Sequence, residues 1–225
     1  NEYLNCYTFE VLQEYKNYIN DEKLLFKLTA FLSEFPEPCK VIGAGVIGFQ
    51  KLESDHSDLF LKRHSVRRFK HEMVSEEDIS KAVFLAQRTP SVCNRQPWKL
   101  NILSEKKFID EILELQNGNI GFRRDIYNLA IISAPLEAFN INGERNQCFI
   151  DGGMFSMSLI LSFYNYGIAS TCLNWAVEKK ADLKLHQKLG LSMENRIIML
   201  VAFGYPIDNA PVTSSPRQRV DTIYG

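Results

Sequence analysis

Residues 151–173 read Asp-Gly-Gly-Met-Phe-Ser-Met-Ser-Leu-Ile-Leu-Ser-Phe-Tyr-Asn-Tyr-Gly-Ile-Ala-Ser-Thr-Cys-Leu. The pattern predicts a long helix over 151–166, closed by Gly167 where a left-handed residue ends a helix, and then a strand over 168–173. The apolar stretch 154–169 is broken by Ser156, Ser158, Ser162, Asn165 and Gly167. It falls short of the ~20 apolar residues that a membrane-spanning helix needs, so it reads as a buried core helix. Downstream, 181–189 followed by Gly190 repeats the helix ending, and 197–203 is a continuous apolar strand stopped by Gly204-Tyr205-Pro206. Upstream, 129–134 before Pro135 reads as a central strand, and Ser104 is placed to cap a helix carrying Phe108, Ile112 and Leu115. Trp98, Leu100 and Ile102 alternate with Lys99 and Asn101 as a half-buried strand does. Ser75 with Asp78 forms a variant capping box before Ile79, Ala82, Val83 and Ala86, a helix that Pro90 ends. Helices and short strands mix without strict βαβ repetition, which predicts an α+β fold with helices over the faces of a sheet.

The N-terminal segment reads differently. Nine aromatics fall in the first fifty residues, out of 26 in the chain of 225, a density that no solvated linker carries. Leu24, Leu25, Leu28, Phe31 and Leu32 give a helical stripe over 21–32. The expected organisation is therefore an aromatic-rich, mainly helical extension over 1–58 and a main domain over 59–225. Val41-Ile42-Gly43-Ala44-Gly45-Val46-Ile47-Gly48 matches G-x-G-x-x-G. A dinucleotide fingerprint needs several strand residues before it and an acid about 20 residues later, and here that position falls in Arg63-His64-Ser65. The motif is read as a decoy, a glycine-rich connector.

Composition removes other classes. With 26 basic against 27 acidic residues the net charge is -1, so there is no electrostatic footprint for nucleic acid or a polybasic membrane contact. Five widely spaced cysteines form no C-x-x-C and the four histidines have no helical metal spacing, so no disulfide framework and no metal is expected. Free thiols point to a reducing compartment, and a cytoplasmic location is expected.

Four clusters carry candidate chemistry. Arg63-His64-Ser65-Val66-Arg67-Arg68-Phe69 sets two arginines four apart around a hydroxyl, a donor set suited to a phosphate. Pro90-Ser91-Val92-Cys93-Asn94-Arg95-Gln96-Pro97-Trp98 is a proline-restricted loop whose hydroxyl and amides can read the edge of a heterocycle. Gly167 through Trp175 runs from a helix end through a strand into a loop with a large aromatic. Pro216-Arg217-Gln218-Arg219 puts two arginines on one side of an extended segment.

In this order the clusters resemble the FMN-dependent nitroreductase family over about residues 60–225. The R-x-S-x-R turn and the P-S-x-x-N-x-Q-P-W loop are most specific, and Asp151-Gly152-Gly153 and the run from Leu200 to Pro206 add support. The resemblance implies a mostly antiparallel sheet flanked by helices in an interlocked homodimer, each FMN site being built from both chains with the Arg63 and Arg217 clusters meeting across the interface. It implies that Arg63, Ser65 and the His64 backbone, with Arg217 and Arg219, hold the FMN phosphate. Arg67 would lie beside the flavin pyrimidine ring and raise its potential, while Ser91, Asn94 and Gln96 would contact the ribityl chain and ring edge. Leu173, Asn174 and Trp175 would lie on the hydride-accepting side. Many family members carry an acidic residue and a glycine where this chain has Asn174-Trp175, so the choice of NADH or NADPH as donor stays open. The activity implied is ping-pong reduction of nitroaromatics, quinones or similar electron-poor molecules, with Phe122, Phe155 or Trp175 as candidate gates. Other flavin chemistry (dehydrogenation, dehalogenation or flavin cleavage) and a flavin- or partner-binding module using the N-terminal extension are the alternatives.

Overall fold

A computed structural model describes residues 12, 13, 15–33, 54–139 and 141–224. The chain divides into two compact units, residues 1–54 and 55–225. In the first, the helix expected over 21–32 is present as α1 (Glu22–Ser33), preceded by a short 3-10 turn at Lys16–Tyr18. The Asp21 carboxylate starts α1 by accepting from the amides of Lys23 and Leu24 at 2.9 and 3.1 Å, satisfying two donors that the first turn leaves over. The glycine motif at 43–48 lies outside the described residues.

The second unit holds a four-stranded sheet of β1 (Lys99–Leu103), β2 (Asn128–Pro135), β3 (Ala169–Asn174) and β4 (Asn195–Gly204). Its order is β1-β2-β4-β3 and every neighbouring pair is antiparallel. Among the described residues five α-helices accompany it: the single turn α2 (Asp58–Leu61), then α3 (Glu76–Ala86), α4 (Lys106–Leu113), α5 (Gln147–Asn165) and α6 (Lys179–Leu189).

The period of two along the central strands sorts their side chains into two cores. Leu129 and Ile131 of β2 with Leu200 and Ala202 of β4 pack with Ile109, Ile112 and Leu113 of α4 and Leu185 of α6. The intervening Ala130, Ile132, Val201 and Phe203 pack with Ala82 and Ala86 of α3 and with Phe155, Leu159 and Phe163 of α5. Because both faces are covered, β2 and β4 read as unbroken apolar runs, as the sequence suggested.

Several boundaries differ from expectation for physical reasons. Ser75 does cap α3, its Oγ accepting from the Asp78 amide at 3.1 Å. The N-cap of α4 is Glu105, one residue after the expected Ser104, and it has no side-chain cap. α5 begins at Gln147, four residues before the expected start. Asp151-Gly152-Gly153 looks like a helix start because aspartate favours caps and glycine weakens helices. Here the aspartate is instead an interior residue and Gly152 is needed for close packing. A Cβ on Gly152 would lie 2.2 Å from Ile198 Cδ1. Ile198 occupies the bulge where the β2–β4 register shifts, which pushes it toward α5. Gly167 and Gly190 end α5 and α6 with φ of 71° and 63°, the left-handed conformation that glycine adopts without penalty.

Candidate functional site

The R-x-S-x-R turn is stitched to the edge of the sheet. Ser65 bridges Ser170 at the start of β3, with the Val66 amide donating to the Ser170 carbonyl at 3.1 Å, and Val66 and Phe69 bridge Val212 and Pro206 of the C-terminal segment. This pairing lays 63–69 between β3 and residues 206–217. Arg63, His64, Ser65 and Arg217 thereby line one cavity of about 490 Å³, together with Thr213, Ser214 and Ser215. Two guanidinium groups and four hydroxyls face it, and no carboxylate does among the described residues that line it. Arg67 extends the basic surface: its Nη1 donates to Thr213 Oγ1 at 3.2 Å and its Cζ lies 5.7 Å from the centre of the Phe122 ring. A smaller cavity of about 230 Å³ behind the turn is shared by Arg63, His64, Tyr164, Gly167 and Ser170. Cys172 lies beside them on β3. Burial pushes its thiol up, an effect that the Arg63 guanidinium partly offsets.

The second cluster is held at the other end of α5. Cys93, Asn94 and Gln96 adopt φ of 49°, 53° and 48°, three non-glycine residues in the left-handed region within four positions. Such residues cost of order 1 kcal/mol each and persist where surroundings over-determine them. Here the surroundings are explicit. Ser91 Oγ accepts from the Gln96 amide at 2.9 Å, and the fully buried Asp151 accepts from the Val92 amide at 3.3 Å and from Gln147 Nε2 at 2.8 Å. Arg95 Nη1 meets both Glu144 carboxylate oxygens at 2.9 Å and the Ala138 carbonyl at 3.0 Å. Gln96 Nε2 donates to the Asn94 Oδ1 at 3.2 Å, so the two amides that the sequence singled out are placed side by side.

The third cluster closes β3. Leu173 is buried in the core and Asn174 is exposed. Gln116, itself buried, donates through Nε2 to the Asn174 carbonyl at 3.1 Å, and Trp175 Nε1 donates to Asp182 Oδ1 of α6 at 2.8 Å.

The structure therefore brings Arg63, His64, Ser65 and Arg217 around one cavity with Arg67 adjoining. Arg63 and Arg217, expected to meet across a dimer interface, already line one cavity within a single chain, because the C-terminal segment returns to pair with 66–69. Arg219 stands apart from that cavity, its guanidinium held by Asp221 at 2.8 and 3.1 Å. Phe155 is corrected as a gate, since it is 1% exposed and stacked on Trp98 at 4.9 Å. Ser91, Asn94 and Gln96 are not joined to the Arg63 cavity within the chain. Asp151, which anchors their loop, and Tyr164, which lines the cavity beside Arg63, are separated by thirteen helical residues, or about 20 Å. The loop also leads into β1, whereas Ser65 bridges β3, and these are the two edges of the sheet. Thr213, Gln116 and Asp182 escaped the sequence reading. The hydroxyl run Thr213-Ser214-Ser215 immediately before Pro216-Arg217 was the available signal for the first, while nothing local marks the other two.

Fold and site define an α+β protein with a basic, hydroxyl-rich cradle at one sheet edge. Residues 61–123 match the model of the nitroreductase family. A Streptococcus pyogenes protein whose name proposes an NAD(P)H nitroreductase is 27% identical over 148 residues, 52% of this chain and 74% of its own length. A nitroreductase family protein from Streptococcus pneumoniae superposes with a TM-score of 0.66 at 20% identity, covering 76% of this chain and 99% of the other. A Desulfovibrio desulfuricans structure named as a nitroreductase and solved with FMN gives 0.64 at 18% identity, covering 76% and 96%. The chain has the fold of these structures, and its residues 61–123 carry the nitroreductase family's pattern.

Proposed function

We propose that the chain is an FMN-dependent oxidoreductase that accepts hydride from NADH or NADPH and passes reducing equivalents to a nitroaromatic, a quinone or a similar electron-poor molecule. The observation that carries the reading is the cavity lined by Arg63, Ser65 and Arg217. Its cationic and hydroxyl donors, with no lining carboxylate among the described residues, fit a phosphate of nearly two negative charges. FMN, when bound, supplies the hydride-accepting and hydride-donating chemistry.

The roles of the chain's own residues follow from that placement. Arg63, Arg217 and Ser65 bind the phosphate through charge-assisted hydrogen bonds. Arg67, steadied by Thr213 and Phe122, places a cation where the ring gains negative charge, and a fixed cation there favours the reduced state. The Leu173–Trp175 turn forms the wall against which the nucleotide and then the acceptor are seated in turn, a ping-pong order. No side chain is asked to be a nucleophile.

We further propose a homodimer in which the Ser91–Gln96 loop of one chain completes the cavity of the other. Two features support it. The loop and the cavity of a single chain sit at opposite ends of α5 and lead to opposite sheet edges. α5 also exposes Phe149, Ile150, Met154 and Met157 next to the loop, an apolar strip of the kind that marks an association surface. Purified protein reconstituted with FMN is expected to be yellow and to bleach on anaerobic titration with NADH or NADPH. Absence of bleaching by either nucleotide overturns the reductase reading and favours dehydrogenation, dehalogenation or flavin cleavage on the same fold.

A further inference from the structure

The turn at Leu173, Asn174 and Trp175 is braced from two sides by residues that the family motifs do not include. Gln116, just past the end of α4, is 5% exposed and donates from Nε2 to the Asn174 carbonyl at 3.1 Å and to its Oδ1 at 3.4 Å. Its own Oε1 accepts from Asn119 Nδ2 at 2.7 Å, and that fully buried amide also donates to the Leu113 and Gln116 carbonyls. The Gln116 amide is thus fixed before it reaches the turn. From the other side Asp182 holds the Trp175 indole at 2.8 Å. The buried ring of His186 backs Asp182, with Nδ1 3.6 Å from the carboxylate and 2.8 Å from the Asp182 carbonyl, and with Nε2 2.7 Å from the Asn195 carbonyl. A peptide unit is planar and trans, so anchoring the Asn174 carbonyl sets the direction of the Trp175 N–H across the same bond.

We infer that Gln116 and Asp182 are positioning residues that lock the Asn174–Trp175 peptide and indole into a fixed wall, so that Trp175 is not a mobile lid. The inference rests on the proposed placement of this turn at the hydride-accepting side. Its consequence is functional: misplacing a reacting partner by an ångström costs up to about a hundredfold in rate, while phosphate anchoring at Arg63 and Arg217 is untouched.

The test uses full-length, FMN-reconstituted protein. Gln116→Met keeps the volume and removes the donor, Asp182→Leu removes the acceptor, and Asp182→Asn retains an oxygen that the indole can still donate to. Gln116→Met and Asp182→Leu are expected to lower the bleaching rate constant at saturating nucleotide about tenfold, the equivalent of one lost hydrogen bond. The FMN Kd stays within about threefold, and Asp182→Asn stays near wild type. In FMN-free protein, Asp182→Leu shifts the emission of Trp175, one of two tryptophans. A wild-type bleaching rate in Gln116→Met overturns the inference, as does a loss that merely tracks FMN affinity. If the wild-type protein is not bleached at all, the reductase reading falls. The bracing is then decided by the Trp175 emission and the visible circular dichroism of bound FMN, and no change in either variant refutes it.

Discussion

Gly152→Ala probes the joint on which the second half of the proposed site depends. The added Cβ would sit 2.2 Å from Ile198 Cδ1 and 3.2 Å from both its Cγ atoms, at a buried position of α5 packed on the β4 bulge. Overpacking of this kind costs about 1–3 kcal/mol, and exchanging glycine for alanine inside a helix returns about 1 kcal/mol. The net is a loss of roughly 0–2 kcal/mol, or up to about 8 °C in Tm for a chain of this size. Ile198→Val deletes the atom at 2.2 Å, so in that background Gly152→Ala should be neutral or slightly stabilising, a coupling of about 1–3 kcal/mol between the two positions. Thermal melts of the four proteins in the cycle measure it. Because Asp151 is the adjacent residue and anchors the Ser91–Gln96 loop, Gly152→Ala alone should also weaken FMN binding a few-fold. A rise in Tm for Gly152→Ala in the wild-type background would show that Ile198 rotates away at no cost, and the close-packing argument would fall with it.

Three further outcomes follow from the geometry. Arg63→Ala and Arg217→Ala should each raise the FMN Kd by at least about tenfold, the loss of one charge-assisted hydrogen bond, whereas Arg219→Ala, already paired with Asp221, should change it less; fluorescence quenching titrations rank the three. Arg67→Ala should lower the flavin reduction potential as well as weaken binding, and an unchanged potential in spectroelectrochemistry would remove Arg67 from the ring. Tyr205→Phe tests pH dependence: the Tyr205 hydroxyl, donating at 2.8 Å, and then Ser75 hold the Asp78 carboxyl below its ordinary value. A depressed carboxyl contributes stability that is present above the unfolded value near 4 and is lost as pH falls through the folded one. The variant should therefore be less stable than wild type at pH 6, with the gap narrowing toward pH 2 in denaturant melts, and a gap that is constant with pH would refute the linkage.

What the sequence revealed tracks how local the physics is. β2 and β4 are apolar on both faces, and Gly167 and Gly190 end helices by a backbone conformation that few other residues adopt, so strands and helix ends could be read from neighbouring residues alone. Asp151-Gly152-Gly153 misled as a helix start because its reasons are tertiary: one residue faces a loop 59 positions earlier, and the next faces a bulge on β4. Cradle residues were legible where a cation and a hydroxyl share a short motif, as at Arg63 and Ser65. Gln116 and Asp182 were not, since an isolated glutamine after a helix and an aspartate inside one are ordinary, and only the folded chain brings them to Asn174 and Trp175.

The same distinction explains how a near-neutral chain builds the basic cavity proposed to hold a phosphate. No arginine precedes Arg63, and four of the eleven fall in 63–67 and 217–219. Pairing of 66–69 with 206–212 converts two distant basic segments into one lining, while Arg68 and Arg95 are each answered by a carboxylate, Asp125 and Glu144. The arginines left facing the cavity without a lining carboxylate are Arg63 and Arg217, and the strand bridges put them there. Net charge is then silent about the proposed site because it does not say which cations the fold places around a cavity without a lining carboxylate. The proposed phosphate site is thus a property of the edge pairing as much as of its side chains, and disrupting the Val66–Val212 bridge should cost FMN affinity even though neither valine bears a charge.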